Sequence, residues 1–112
     1  MEPCTDNIAD CYQVFTRTTV TYPKQNEGQY VTAGLVGEVG ELLSAAAKYH
    51  RGDYDITEYR KRAKAEIGDI LWFIARFADY YDWSLSEIMI ENRDKLTDRM
   101  NRGVIKGDGD NR

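Results

Sequence analysis

The sequence has little cysteine and little histidine, and each shortage removes a class of protein. Its two cysteines, Cys4 and Cys11, fit neither a zinc-binding spacing nor a disulfide framework. Two scattered thiols are typical of a reducing cytosol, so we expect a cytoplasmic protein. The single histidine, His50, excludes the carboxylate bundles that bind two metal ions through paired Glu-x-x-His motifs.

Long apolar runs and clusters of positive charge are also missing. No segment approaches the ~18 uninterrupted apolar residues of a membrane span. The N-terminal MEPCTDNIAD lacks the basic-then-apolar pattern of a signal peptide. The net charge is -4 and the basic residues form no run, so duplex nucleic acid is not an expected partner. A small phosphorylated ligand remains compatible, because a divalent cation can screen its charge.

Helical periodicity runs through most of the chain. It predicts four helices, over about 6–18, 29–50, 55–82 and 84–102, with Asp55 and Ser84 as N-caps. Long helices with short links and no strand pattern predict an all-α antiparallel four-helix bundle. Residues 1–102 would form a single domain, and the glycine-rich residues 103–112 a flexible tail.

Apolar stripes on these helices predict the core. The glycines of the second helix (Gly34, Gly37 and Gly40) each cost helix stability, which predicts close approach of another backbone. The expected core positions are Ile8, Cys11, Tyr12 and Phe15, then Leu35, Val39, Leu42, Leu43, Ala46 and Tyr49, then Ile67, Ile70, Leu71, Ile74, Phe77, Ala78 and Tyr81, and finally Leu85, Ile88, Met89 and Leu96.

Two pairs of acids lie beside these stripes. Glu38 and Glu41 are three residues apart on the second helix, and Glu66 and Asp69 are three apart on the third. A short link makes the two helices antiparallel neighbours, so the pairs can meet across a groove. Close carboxylates repel one another, and a hard divalent cation such as Mg²⁺, Mn²⁺ or Ca²⁺ relieves this. From spacing alone, a metal site and two solvated acid pairs are about equally favoured.

Three segments resemble the MazG-like nucleotide pyrophosphohydrolases: GLVGEVGELLSAAAK, AEIGDILWFIARFA, and ENRDKLTDR followed by GDGDNR. That family belongs to the all-α NTP pyrophosphatase superfamily, with the dimeric dUTPases and the phosphoribosyl-ATP pyrophosphohydrolases. The resemblance runs from about Tyr30 to the C-terminus. The family signature, E-x-x-E, a spacer and E-x-x-D, falls on the four acids named above. One copy of the motif is typical of the short single-domain members.

The resemblance implies a reaction and its cofactor. The carboxylates of Glu38, Glu41, Glu66 and Asp69 would bind Mg²⁺, with Mn²⁺ as an alternative. Water would attack the α-phosphorus of a (d)NTP, releasing the nucleoside monophosphate and pyrophosphate. The related dUTPases suggest the first Glu as the general base, which is Glu38 here. The resemblance also implies a homodimer or homotetramer.

Further side chains are candidates for binding substrate. By resemblance, Asn92 reaches the nucleotide and Lys95 a phosphate, with Arg99 a weaker candidate; a core amide and solvated cations are the alternatives. Lys48 lies on the face of Glu41 and either reaches phosphate or neutralises the acids. Phe73 borders the third-helix acids and either stacks on a base or, the favoured alternative, packs in the core.

Two further expectations remain. Trp72 points away from the main stripe of its helix, which suggests a subunit contact. From the residues alone, a non-catalytic helical module that binds nucleotide or a partner also stays open. The acid quartet argues against that module, because burying four acids without a metal ion is costly.

Overall fold

The computed structural model describes residues 7–112 and consists of four α-helices: α1 (Ile8–Thr16), α2 (Glu27–His50), α3 (Ile56–Tyr80) and α4 (Leu85–Asn101). Short 3₁₀ turns, Arg17–Thr19 and Lys24–Asn26, connect α1 to α2. No strand occurs among the described residues, so the predicted all-α class is confirmed. Within the same residues, no helix is both long enough and apolar enough to cross a membrane.

The helix starts follow local capping chemistry. The Asn7 side chain accepts hydrogen bonds from the backbone N–H groups of the first turn of α1. The Asp55 side chain accepts from the Glu58 N–H and the Ser84 side chain from the Glu87 N–H. The two predicted capping residues are therefore confirmed, because each satisfies an N–H that has no partner within its own helix.

Helices α2 and α3 form an antiparallel hairpin that carries the core. Tyr22, Val31 and Phe73 are buried together, and Val20, Leu35, Trp72 and Phe77 pack against them. At Gly34, an added Cβ would lie 2.1 Å from the Phe73 ring, whereas nothing lies within 4 Å of a Cβ at Gly37 or Gly40. The expected close approach thus holds at one glycine only, and there it is made by a side chain and not by a backbone.

The helix α1 packs through polar side chains and not through its apolar stripe. Gln13 and Thr16 are fully buried, whereas Ile8 is 85% and Phe15 55% exposed. Gln13 donates to the Asp79 carboxylate and the Trp83 carbonyl, and it accepts from the Leu85 N–H. The predicted apolar packing of this helix is wrong at Ile8 and Phe15, because the surface that α3 offers it is polar.

That polar surface centres on Arg76 of α3. Its guanidinium donates hydrogen bonds of 3.0 Å to Glu27 and to Asp79, and weaker ones to Thr16 and Tyr22. Burial alone would raise the pKa of Glu27, but the Tyr22 and Arg76 hydrogen bonds outweigh it and the pKa is lowered. Burial opposes the shift at Asp79 too, yet the Arg17 hydrogen bond and the charges of Arg17 and Arg76 lower its pKa.

Much of the predicted apolar core is uncovered within the chain. The radius of gyration is 17.1 Å, against about 13 Å for a compact domain of this length. The prediction that the chain itself buries all the stripe positions is therefore wrong, because α1 and α4 are too few to cover the hairpin of α2 and α3. The exposed members of the predicted stripes are Ile8, Phe15, Val39, Leu43, Ile67, Leu71, Tyr81, Ile88, Met89 and Leu96.

Three smaller expectations concern Cys11, Trp72 and the C-terminal segment. Cys11 is disulfide-bonded and not a thiol; the only other cysteine in the sequence, Cys4, lies outside the described residues. The Trp72 indole donates a 2.7 Å hydrogen bond to Thr19 and packs against the core, so the chain itself covers it in part. The segment 103–112 folds back on α4, where Asp110 pairs with Arg99. The flexibility of that tail stays a prediction.

Candidate active site

The hairpin brings three of the four predicted acids together. Glu38 of α2 lies across from Glu66 and Asp69 of α3, and one carboxylate oxygen of each lies within 4.8 Å of the others. Glu38 and Glu66 are half-buried, and Asp69 is exposed. The i, i+3 spacing on α3 places its two acids on one face, and the antiparallel pairing of the helices supplies the third.

None of the residues that the structure describes neutralises the negative charge of this cluster. Burial, followed by the adjoining Glu66 carboxyl and the charges of Asp69 and Glu41, raises the pKa of Glu38. Among residues 7–112, no salt bridge joins Glu38, Glu66 or Asp69 to a cation. A set of oxygen donors with uncompensated charge fits a hard divalent ion such as Mg²⁺ or Mn²⁺, and it does not fit the softer metals.

Glu41 lies beside the three-carboxylate cluster and not within it. It faces a groove of about 160 Å³ that runs between α2 and α3 toward the hairpin turn. Lys48, predicted to share its face, lines the same groove, together with Glu66. The groove is lined by Glu41, Ser44, Ala45, Lys48, Tyr54, Arg62, Ala65 and Glu66. Acidic and basic side chains therefore share one continuous surface.

Tyr12 is a neighbour of the cluster that the sequence did not indicate. Burial and the nearby charge of Asp69 raise the pKa of its phenol. Tyr12 was predicted only as part of the apolar stripe of α1. No short-range motif links the two residues, since it is the packing of α1 against α3 that brings them near each other.

The predicted substrate-binding residues of α4 lie apart from the acids. Asn92 is exposed and not set in a packed apolar face, because that face of α4 is itself uncovered. Lys95 pairs with Asp110 at 3.3 Å, and the buried Arg99 pairs with the same carboxylate at 3.0 Å. Within the described part of the chain, no hydrogen bond or ion pair joins these three residues to the carboxylate cluster.

Phe73 belongs to the core. Its ring is 8% exposed and packs against Tyr30 and Trp72, with Gly34 directly beneath it. The alternative of ordinary core packing therefore describes its position. Phe73 offers no open ring face on which a base could stack, so the site proposed below does not include it.

The comparisons with known proteins agree with this geometry. The sequence profile of the MazG nucleotide pyrophosphohydrolase domain matches residues 26–104, which include both helices of the hairpin. The chain belongs to this family, and the predicted resemblance is confirmed. The family is one of nucleotide pyrophosphohydrolases, and the all-α fold is consistent with membership of it.

Two relatives are similar to the chain over most of their own length. It is 43% identical over 111 residues to the gene 37 protein of Mycobacterium phage L5, an alignment that covers 92% of this chain and 97% of the relative. It is 32% identical over 80 residues to the uncharacterized protein YvdC of Bacillus subtilis (strain 168), covering 64% of this chain and 76% of that relative. No solved structure matches the chain.

Proposed function

We propose that this chain is a Mg²⁺-dependent nucleoside triphosphate pyrophosphohydrolase that converts a (d)NTP to the (d)NMP and pyrophosphate. The observation that carries the proposal is the meeting of Glu38, Glu66 and Asp69 across the hairpin, with their oxygens within 4.8 Å. Family membership supplies the reaction class, and the oxygen donor set favours Mg²⁺, with Mn²⁺ as an alternative. Glu41 would complete the charge of the site from the adjoining groove.

The proposed chemistry divides into binding and proton transfer. A metal ion bound by the carboxylates would supply Lewis-acid stabilisation of the charge that develops on the phosphate oxygens. Glu38 would accept a proton from the attacking water as that water's oxygen bonds to the α-phosphorus. The bond from the α-phosphorus to the bridging oxygen breaks, and pyrophosphate leaves with the electron pair. Lys48 would bind the phosphate chain as a point charge.

The α4 residues have a less direct part in the proposal. Asn92, Lys95 and Arg99 would contact nucleotide only if α4 of one subunit lies near the acid cluster of another, since they lie apart from it within one chain. A homodimer or homotetramer would allow this arrangement. The uncovered apolar side chains of the hairpin support such an assembly.

The test of the reaction is pyrophosphate release from a panel of NTPs and dNTPs, with and without Mg²⁺. We expect metal-dependent release together with the nucleoside monophosphate, and loss of both products in Glu38→Gln and Asp69→Asn. Glu91→Gln is the matched control, because it removes one exposed carboxylate from α4 and should retain full activity. If well-folded protein releases no pyrophosphate from any nucleotide, a non-catalytic nucleotide-binding module becomes the better description.

A further inference from the structure

Arg62 is a cation of the groove that no motif indicates. It lies on α3 one helical turn before Glu66, and both residues line the groove beside the acid cluster. Its Nε donates a 3.0 Å hydrogen bond to Glu58, and its guanidinium lies 4.5 Å from the centre of the Tyr54 ring. Among the described residues, neither Nη atom of Arg62 makes a hydrogen bond. Two donor groups of a positioned guanidinium are therefore available.

Neighbouring side chains hold the Arg62 guanidinium in place. The Tyr54 hydroxyl donates a 2.5 Å hydrogen bond to the Ala45 carbonyl, which fixes the ring against α2. A fixed aromatic ring and an i, i+4 carboxylate restrict the guanidinium in two directions. Arg62 and Glu58 are both partly exposed, so their ion pair is weak and does not compete strongly with a phosphate.

Two cations lie toward one end of the groove and the acid cluster lies toward the other. Lys48, on the opposite wall, is a second cation, and no salt bridge to it occurs in residues 7–112. Arg62 and Lys48 lie toward the hairpin turn, whereas Glu66 and the acid cluster lie away from it. Arg62 and Glu66 are separated by about 6 Å along the helix axis, a span that successive phosphoryl groups can bridge. A ligand with several linked phosphates would thus meet the acids at one end and cations at the other.

We propose that Arg62, oriented by Tyr54 and Glu58, binds the terminal phosphates of the triphosphate. This inference rests on the proposed function and adds the direction in which the substrate lies. The β- and γ-phosphates, which leave as pyrophosphate, point toward the hairpin turn, and the nucleoside points away from it. A guanidinium suits this place, because it forms two parallel hydrogen bonds to phosphate oxygens, which a lysine cannot.

The test compares Arg62→Gln with Arg60→Gln. Arg60 is an exposed arginine of the same helix, nearly opposite to Arg62 around the helix axis, so it controls for lost charge and lost helix propensity. Calorimetric titration with Mg²⁺ and pyrophosphate should show affinity about tenfold weaker in Arg62→Gln and unchanged in Arg60→Gln. The unmodified protein and both variants should have the same affinity for a nucleoside monophosphate, because that ligand lacks the terminal phosphates.

Steady-state rates supply a readout that a merely structural residue would not move. In Arg62→Gln, KM for the triphosphate should rise about tenfold, and Arg62→Lys should recover only part of the loss. Equal weakening of monophosphate and pyrophosphate binding would overturn the inference, as would identical behaviour of Arg62→Gln and Arg60→Gln. If the unmodified protein binds Mg²⁺ and pyrophosphate through Arg62 yet hydrolyses no nucleotide, the proposed reaction fails and the phosphate site stands.

Discussion

Gly34 of α2 lies directly against the ring of Phe73 of α3. A Cβ built on Gly34 would come within 2.1 Å of the ring, closer than any side chain allows. Phe73 is buried beside Tyr30 and Trp72 and cannot move aside without disturbing them. The contact therefore sets how closely the two helices approach, four residues before the acidic Glu38.

Gly34→Ala should destabilise the protein by about 1–3 kcal/mol, because the added methyl group overpacks the hairpin. Gly37→Ala is the matched control: nothing lies within 4 Å of its Cβ, so alanine should raise helix stability by up to about 1 kcal/mol. Urea unfolding followed by circular dichroism measures both. If both substitutions shift the midpoint in the same direction, Gly34 does not set the helix spacing.

The sequence was informative wherever a signal is local. Helical periodicity indicated the four helices, and the side chains of Asp55 and Ser84 indicated where α3 and α4 begin. The spacing of the acids also gave three members of the cluster, since i, i+3 positions share a helix face. These features depend on residues within a turn or two of one another, or on the pairing of two helices joined by a short link.

The sequence was uninformative where distant side chains decide the outcome. Arg76 lies on the side of α3 opposite the predicted apolar stripe, and nothing in the neighbouring sequence indicates that it pairs with the buried Glu27, which lies 49 positions away along the chain. Gln13 and Thr16 are buried because they form hydrogen bonds with groups that lie sixty or more positions away along the chain. An apolar stripe identifies a surface that avoids water, but not which chain covers it.

The buried ion network makes stability depend on pH. The folded protein lowers the pKa of Glu27 and of Asp79 below their ordinary values of 4.5 and 3.8. The unfolded chain therefore binds protons more readily, and the network's contribution is complete above about pH 4.5. We expect the free energy of unfolding to fall as the pH drops below that value and through the lowered pKa values. Denaturant titrations between pH 3 and pH 7 measure it.

Two substitutions check the source of this dependence. Glu27→Gln should reduce the fall of the free energy of unfolding at acid pH, whereas the exposed Glu91→Gln should leave that fall unchanged. Arg76→Met should cost about 3–5 kcal/mol near neutral pH, because it leaves the buried Glu27 carboxylate without its cation and leaves Asp79 with Arg17 alone. If the free energy of unfolding falls equally steeply at acid pH in Glu27→Gln and in the unmodified protein, other groups cause the effect.

The position of Glu41 beside the cluster predicts unequal roles for the four acids. Glu66→Gln should abolish measurable Mg²⁺ binding, whereas Glu41→Gln should only weaken it, by about 10–100-fold, as removal of an outer group does. Calorimetric titration with Mg²⁺ gives the affinities, and the rise in melting temperature at saturating Mg²⁺ gives an independent measure. Equal losses in the two variants would mean that Glu41 is a direct ligand.

The uncovered side of the hairpin predicts an assembly of identical chains. Helical spacing places Val39 of α2, and Ile67 and Leu71 of α3, on the side away from the acid groove, and all three are exposed. Exposed apolar surface of this extent, in a chain whose radius of gyration exceeds that of a compact domain, is typical of a subunit interface.

Light scattering coupled to size exclusion should therefore give a dimer or tetramer. Leu71→Glu should shift the protein toward monomer, since a carboxylate within the interface must lose its water. Thr57→Glu introduces the same charge at an exposed polar position of α3 and should leave the mass unchanged. A monomeric mass for the unmodified protein would leave the apolar face to a different partner.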